Sequence, residues 1–199
     1  MAVLPENFAL MPVCGRDKAR AAETPGEGPI QTFLSDVLHR YGLWLIAGSM
    51  PLNSPEIDAN RVYGACPVYD ANGVERAVYR KIHLFDVDLV DKQESYRESR
   101  SMYPGDDVIS VMTPCGRVGL TICYDLRFPE LFRQLVDAGA KIFTVAEAFT
   151  ITTGEAHWHT LLRARAIENL AYVVAAGQYG EHPDGRLTYG HSLIIDPWG

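Results

Sequence analysis

The sequence predicts an α/β fold with a mixed sheet, on three observations. Short β-branched and aromatic runs alternate with helical patterns. Two pairs of runs are joined by turns too tight for a helical crossover, at Ala71-Asn72-Gly73 and Pro114-Cys115, so part of the sheet is antiparallel. No internal repeat, low-complexity tract or linker divides the chain, which reads as a single domain over residues 1–199.

Each element has its own signal. Ala2-Val3-Leu4 is the tail of a strand that ends at Pro5-Glu6-Asn7. Residues 24–29 are a loop by composition. Residues 30–41 form an amphipathic helix, with Phe33, Leu34, Val37 and Leu38 on one face and Gly42 as its stop. Residues 43–48 are a buried strand. Residues 60–69 and 74–81 pair across the first hairpin. The stretch 82–107 is irregular and polar, too long for an idle connector. Residues 108–113 and 116–122 form the second hairpin, and Pro129-Glu130 opens a helix carrying Leu131, Phe132, Leu135 and Val136. A strand over 141–146, a helix over 155–170 and strands over 172–178 and 190–196 complete the chain.

Composition narrows the function. The chain is 47% hydrophobic and 22% charged, as soluble globular proteins are. Its net charge of −7 and the lack of a basic face argue against nucleic acid as a partner. Its longest apolar runs are too short to cross a bilayer, and no signal pattern opens it. Cys14, Cys66, Cys115 and Cys123 show no paired or metal-like spacing, which fits a reducing cytoplasm better than a disulfide framework.

The chemistry centres on Cys123. It stands where the strand 118–122 breaks toward a helix, the setting of a strand-to-helix nucleophile elbow with sulfur in place of oxygen. On this stretch alone it reads equally as a nucleophile or as a small buried hydrophobe. A nucleophilic thiol needs a base and a donor for the oxyanion. His39 reads as surface, and His157 and His159 point apart on a helix, too far apart to share a metal. His83 and His191 remain possible bases at strand ends. Glu6 and Lys81 also follow strand ends. Each alone reads as ordinary surface charge, but converging with Cys123 they could supply base and oxyanion charge.

These residues lie in Leu4-Pro5-Glu6-Asn7-Phe8, Tyr79-Arg80-Lys81-Ile82-His83-Leu84-Phe85 and Thr121-Ile122-Cys123-Tyr124-Asp125-Leu126-Arg127-Phe128-Pro129-Glu130. With Tyr96-Arg97-Glu98-Ser99, the run from His157-Trp158 to Glu168-Asn169, and Tyr189-Gly190-His191-Ser192, they resemble the carbon–nitrogen hydrolase (nitrilase) superfamily over essentially the whole chain. The resemblance implies an α-β-β-α sandwich. It implies Glu6 as general base, Lys81 as stabiliser of the intermediate and Cys123 as nucleophile. The Tyr124 backbone N–H would share the oxyanion hole, and Glu98 would be an additional active-site carboxylate. No metal or organic cofactor is implied, and the partner is a small-molecule amide.

Within the superfamily the chain is most similar to the Nit-type amidases, first those acting on deaminated glutathione and second the ω-amidases. Both kinds of substrate carry a carboxylate. Arg127 is the natural anchor for it, with an ion pair to Asp125 or Glu130 as the equal alternative. Phe149 and Thr153 would line the pocket. A non-catalytic role on the same scaffold is a further alternative, which the intact Glu6, Lys81 and Cys123 argue against. Two departures stand out. Ala146-Glu147 replaces the proline and small residue common in relatives, so the pocket wall there is expected to differ. Both ends also look truncated against the family pattern, where the missing tail often makes the contacts of a homodimer or larger homo-oligomer.

Overall fold

The computed structural model of the protein describes residues 1–89 and 94–199 and builds four layers. The first sheet holds β1 (Ala2–Val3), β2 (Leu45–Ile46), β3 (Met50–Leu52), β4 (Tyr63–Tyr69) and β5 (Glu75–Arg80). β1 runs parallel to β2. β4 pairs antiparallel with β2 and β3 on one edge and with β5 on the other. The second sheet has the order β14-β11-β10-β9-β8, from β8 (Ser110–Thr113), β9 (Gly116–Ile122), β10 (Ile142–Glu147), β11 (Tyr172–Gly177) and β14 (Leu193–Ile195). Its three central strands are parallel and its two edges antiparallel.

Strand alternation explains the layering. Along β4, Cys66 and Val68 enter the largest core, which also holds Leu120, Ile122, Phe143 and Val145 of the second sheet. Tyr69, of opposite parity, packs with Leu34 and Leu38 of α2 (Pro29–Tyr41). The outer layer on the second sheet is α3 (Pro129–Asp137) and α4 (Ile151–Asn169), through Phe132, Leu135, Trp158 and Leu162. The expected α-β-β-α sandwich is therefore present. α2 ends as predicted, with Gly42 at φ 63 and its N–H on the Leu38 carbonyl.

Several elements depart from the sequence reading. Residues 82–107 are not all irregular: β6 (Asp86–Leu89) and β7 (Glu94–Arg97) form a hairpin. Residues 90–93 of that stretch lie outside the described residues. Its cross-strand contacts are polar, Arg97 gripping Asp88 with two bonds of 2.7 Å, so apolar alternation could not reveal it. α4 begins at Ile151 rather than 155, because the Thr150 side chain caps it by accepting from the Thr153 N–H. A short helix α1 (Gly15–Ala21) and the hairpin of β12 (Tyr179–Glu181) and β13 (Leu187–Tyr189) went unpredicted. The last predicted strand shrinks to Leu193–Ile195.

Candidate active site

Three strand ends bring Glu6, Lys81 and Cys123 to one cleft, of about 1020 Å³. Glu6 follows β1, where the Pro5 carbonyl accepts from the Ser49 N–H and the Glu6 carbonyl from the Gln178 side chain. Gly48, at φ 58, lies against this turn, and a Cβ there would come within 2.0 Å of the Pro5 carbonyl oxygen. Lys81 follows β5, its N–H on the Gly64 carbonyl and its carbonyl accepting from Gly105. Cys123 ends β9 and opens a 3-10 turn, Cys123–Arg127, with the unusual φ of 50 for a non-glycine residue.

The charged groups are almost wholly buried. Lys81, 1% exposed, donates to Glu6 Oε1 at 2.8 Å and to Glu98 Oε2 at 2.9 Å and Oε1 at 3.1 Å. Glu98 also accepts from the Phe85 N–H at 2.7 Å. Burial favours the neutral form of Lys81, but Glu6 and Glu98 outweigh it and hold the ammonium well above its ordinary pKa. Burial likewise opposes ionisation of Glu98, and Lys81 and Lys18 more than offset it, so its pKa lies below the usual value. For Cys123, burial and the Glu6 carboxylate push the thiol well up, while Lys81 pulls the other way. The resting group is therefore a thiol that needs a base.

Asp125, fully buried, ties the Cys123 turn to the strand that carries Lys81. Its Oδ2 accepts from Tyr79 at 2.7 Å and from the Ile122 N–H at 2.9 Å. Its Oδ1 accepts from the His83 N–H at 3.0 Å and lies 2.7 Å from His83 Nδ1. His83 stacks on Phe128 at 3.6 Å and is thus engaged in this brace. His191 lies on Tyr189, with Nδ1 2.7 Å from the Tyr189 carbonyl. Neither histidine lines the cleft.

A second, small pocket of about 20 Å³ opens beside Cys123. Tyr124, Arg127, Phe149 and Thr153 all line it, so these predicted positions come together. Such a space takes a group of only a few atoms. The Arg127 guanidinium lies over the Tyr124 and Phe149 rings, 5.8 and 5.7 Å from their centroids, and reaches His157 Nδ1 at 3.2 Å. Burial and the adjacent guanidinium lower the pKa of His157, which favours an imidazole that accepts. Among the described residues no carboxylate pairs with Arg127, and Asp125 is committed to its own brace, so the expected ion-pair alternative is not formed.

Glu147, at the position where a different pocket wall is expected, is not among the residues that line either pocket. It is fully buried, its Oε2 accepts from the Phe149 N–H, and its Oε1 has no hydrogen-bond partner among the described residues. Burial, and to a lesser degree the charge of Glu6, raises its pKa to about 9. The sequence reading also missed Lys18 as a cleft residue, because α1 carried no apolar periodicity to place it.

A family model described as carbon-nitrogen hydrolase matches residues 1–199. The chain is 44% identical over 199 residues to the deaminated glutathione amidase of Yersinia enterocolitica, covering all of this chain and 69% of the relative. It is 41% identical over 203 residues to the human deaminated glutathione amidase, and spans 61% of that protein. The crystal structure of the C. elegans NitFhit protein superposes with a TM-score of 0.88 at 40% identity, over 99% of this chain and 47% of that one. The chain belongs to the carbon–nitrogen hydrolase family.

Proposed function

We propose that the protein is an amidase that hydrolyses a carboxylate-bearing amide through a thioester on Cys123. The observation that carries this is the buried Glu6–Lys81–Glu98 ion set in the cleft of Cys123, with Arg127, in the adjoining pocket, paired with no carboxylate among the described residues. As sulfur attacks the amide carbon, the thiol proton passes to Glu6. The oxyanion is stabilised by the Lys81 ammonium and the Tyr124 backbone N–H. The C–N bond then breaks and Glu6 delivers its proton to the departing nitrogen. Water, deprotonated by Glu6, attacks the thioester, releases the acid and restores the thiol. Glu98 keeps Lys81 charged and in place.

Arg127 holds the substrate carboxylate in the small pocket, against Phe149 and Thr153, because a guanidinium binds a carboxylate with two parallel bonds. Amides of the deaminated glutathione kind, on which the relatives are named to act, have this character. Four free thiols, Cys14, Cys66, Cys115 and Cys123, support a cytoplasmic setting. No helix among the described residues is long and apolar enough to cross a membrane. A homodimer or larger homo-oligomer is the assembly we assign, on family resemblance.

The test is release of ammonia or amine from a panel of amides and nitriles. A carboxylate-bearing amide is expected to be the best substrate. Cys123→Ala is expected to lose at least about 10³-fold in kcat, as removal of a nucleophile does. Undiminished turnover by that variant would end the proposal.

A further inference from the structure

Little that has direction holds Arg127 in place. Its guanidinium lies 5.8 Å from the Tyr124 ring centroid and 5.7 Å from that of Phe149, near the outer limit of a cation–π contact, and such contacts leave its plane free to turn. Among the described residues its one hydrogen bond is the 3.2 Å contact of Nη2 with Nδ1 of His157. The anchor role above uses Arg127 and gives His157 no task.

A guanidinium carries five N–H donors in a flat fork, and a carboxylate takes two of them. A bond to another N–H fixes the plane and leaves the remaining edge for a ligand. His157 is placed to make that bond. It stands one helical turn after Thr153, on the face of α4 through which Thr153 lines the small pocket. His157 does not itself line the pocket, and it is exposed to solvent. It therefore touches Arg127 from outside, and its ring follows the pH of the medium.

The bond needs a neutral ring, since Nδ1 accepts only while it carries no proton. Burial, and after it the Arg127 charge, lower the pKa of His157 from its ordinary 6.5. Arg127 is the charged group that acts on it. Of the others on the elements packed against α4, Asp125 is bound to Tyr79 and His83, and Arg133 to the Glu168 carbonyl. Glu130, on α3, and Glu155, on α4, form no ion pair among the described residues. His159 turns to Tyr189 and His191. When His157 takes up a proton the acceptor is lost, and two cations face each other across the same gap. We infer that His157 is a positioning residue for substrate selection: its neutral ring accepts from Arg127 and holds the guanidinium fork toward the acyl carboxylate. This rests on the amidase reading with Arg127 as anchor. The preference for a carboxylate should therefore fade in acid, well before the substrate carboxylate is itself protonated at about pH 4.

The experiment uses two primary amides that differ only at the far end of the acyl chain, a carboxylate in one and a methyl ketone in the other. The quantity read is the ratio of their kcat/KM values, in which steps common to both substrates cancel. The wild type is expected to favour the carboxylate by at least about tenfold at pH 7.5, and that ratio should fall at least about threefold by pH 5, through KM. His157→Leu should cut the ratio about fivefold at pH 7.5, the worth of one hydrogen bond, again through KM. His157→Gln keeps an acceptor that does not titrate, so its ratio should stay near the wild-type value and flat to pH 5. A wild-type ratio that is flat or rises toward pH 5, or a His157→Leu ratio equal to that of the wild type, would overturn the inference and leave the Arg127 anchor standing. If His157→Leu does not fold, His157→Gln decides, and a ratio that falls with acid as in the wild type overturns the inference. A wild type without preference for the carboxylate at pH 7.5 overturns the anchor, and the inference with it; no cleavage of either amide overturns the amidase reading itself.

Discussion

Glu147 shows how one buried residue can set the pH dependence of stability. Its carboxyl is shut away from water at the end of β10, and burial raises its pKa from 4.5 to about 9. In the unfolded chain the same group ionises near its ordinary value. Below that value both states are protonated and Glu147 costs nothing. As pH rises toward 9 the unfolded state alone loses its proton, so stability falls steadily through this window. At pH 7 the penalty is on the order of 3 kcal/mol. Glu147→Gln keeps the shape and removes the ionisation. Its melting temperature should match that of the wild type near pH 4.5 and exceed it increasingly toward pH 9. Parallel curves for the two proteins would show that Glu147 is ionised or solvated at neutral pH. Arg127 makes a second prediction at this scale. Arg127→Lys should lose activity on a carboxylate-bearing amide much more than on its neutral analogue, since a point charge cannot reproduce the bidentate fork. Equal losses in kcat/KM would make Arg127 structural.

At the scale of elements, the site depends on how β5 and β9 are joined. Asp125 accepts bonds from Tyr79, Ile122 and His83, and so fixes the Cys123 turn relative to the end of β5 and Lys81. Asp125→Asn replaces an acceptor-only group with one that must donate, leaving at least one buried partner unpaired. The expected cost is about 1–3 kcal/mol, read from urea unfolding, with a fall in kcat larger than any rise in KM. A change in neither would mean the turn holds its shape without the brace. The same elements show what sequence could reveal. Glu6, Lys81 and Cys123 each end a strand with a clear apolar pattern, so their placement could be argued from periodicity and their convergence from family resemblance. Asp125 could not be read this way: it looked like a partner for Arg127, and only the fold brings Tyr79 and His83 to it. The hairpin of β6 and β7 hid because its pairing is written in Asp88, Ser95 and Arg97 rather than in buried side chains. Lys18 hid because a seven-residue helix has too few turns to show a face.

Across the whole molecule, charge is distributed against its average. The chain is acidic, but its cleft collects lysines and arginines around a core of Glu6 and Glu98. The sandwich makes this possible by bringing β1, β5 and β9 to one end, so that residues 6, 81 and 123 meet in a site screened from solvent. There the thiol is held protonated and the cation charged, the starting state a thioester mechanism requires. The most direct test is to quench the enzyme in acid during turnover of a carboxylate-bearing amide and to locate the acyl group by peptide mass spectrometry. The account predicts a transient gain of the acyl mass on the peptide holding Cys123, decaying as free acid appears and absent in Cys123→Ala. Turnover with no such adduct, or an acyl group carried on another residue, would contradict it.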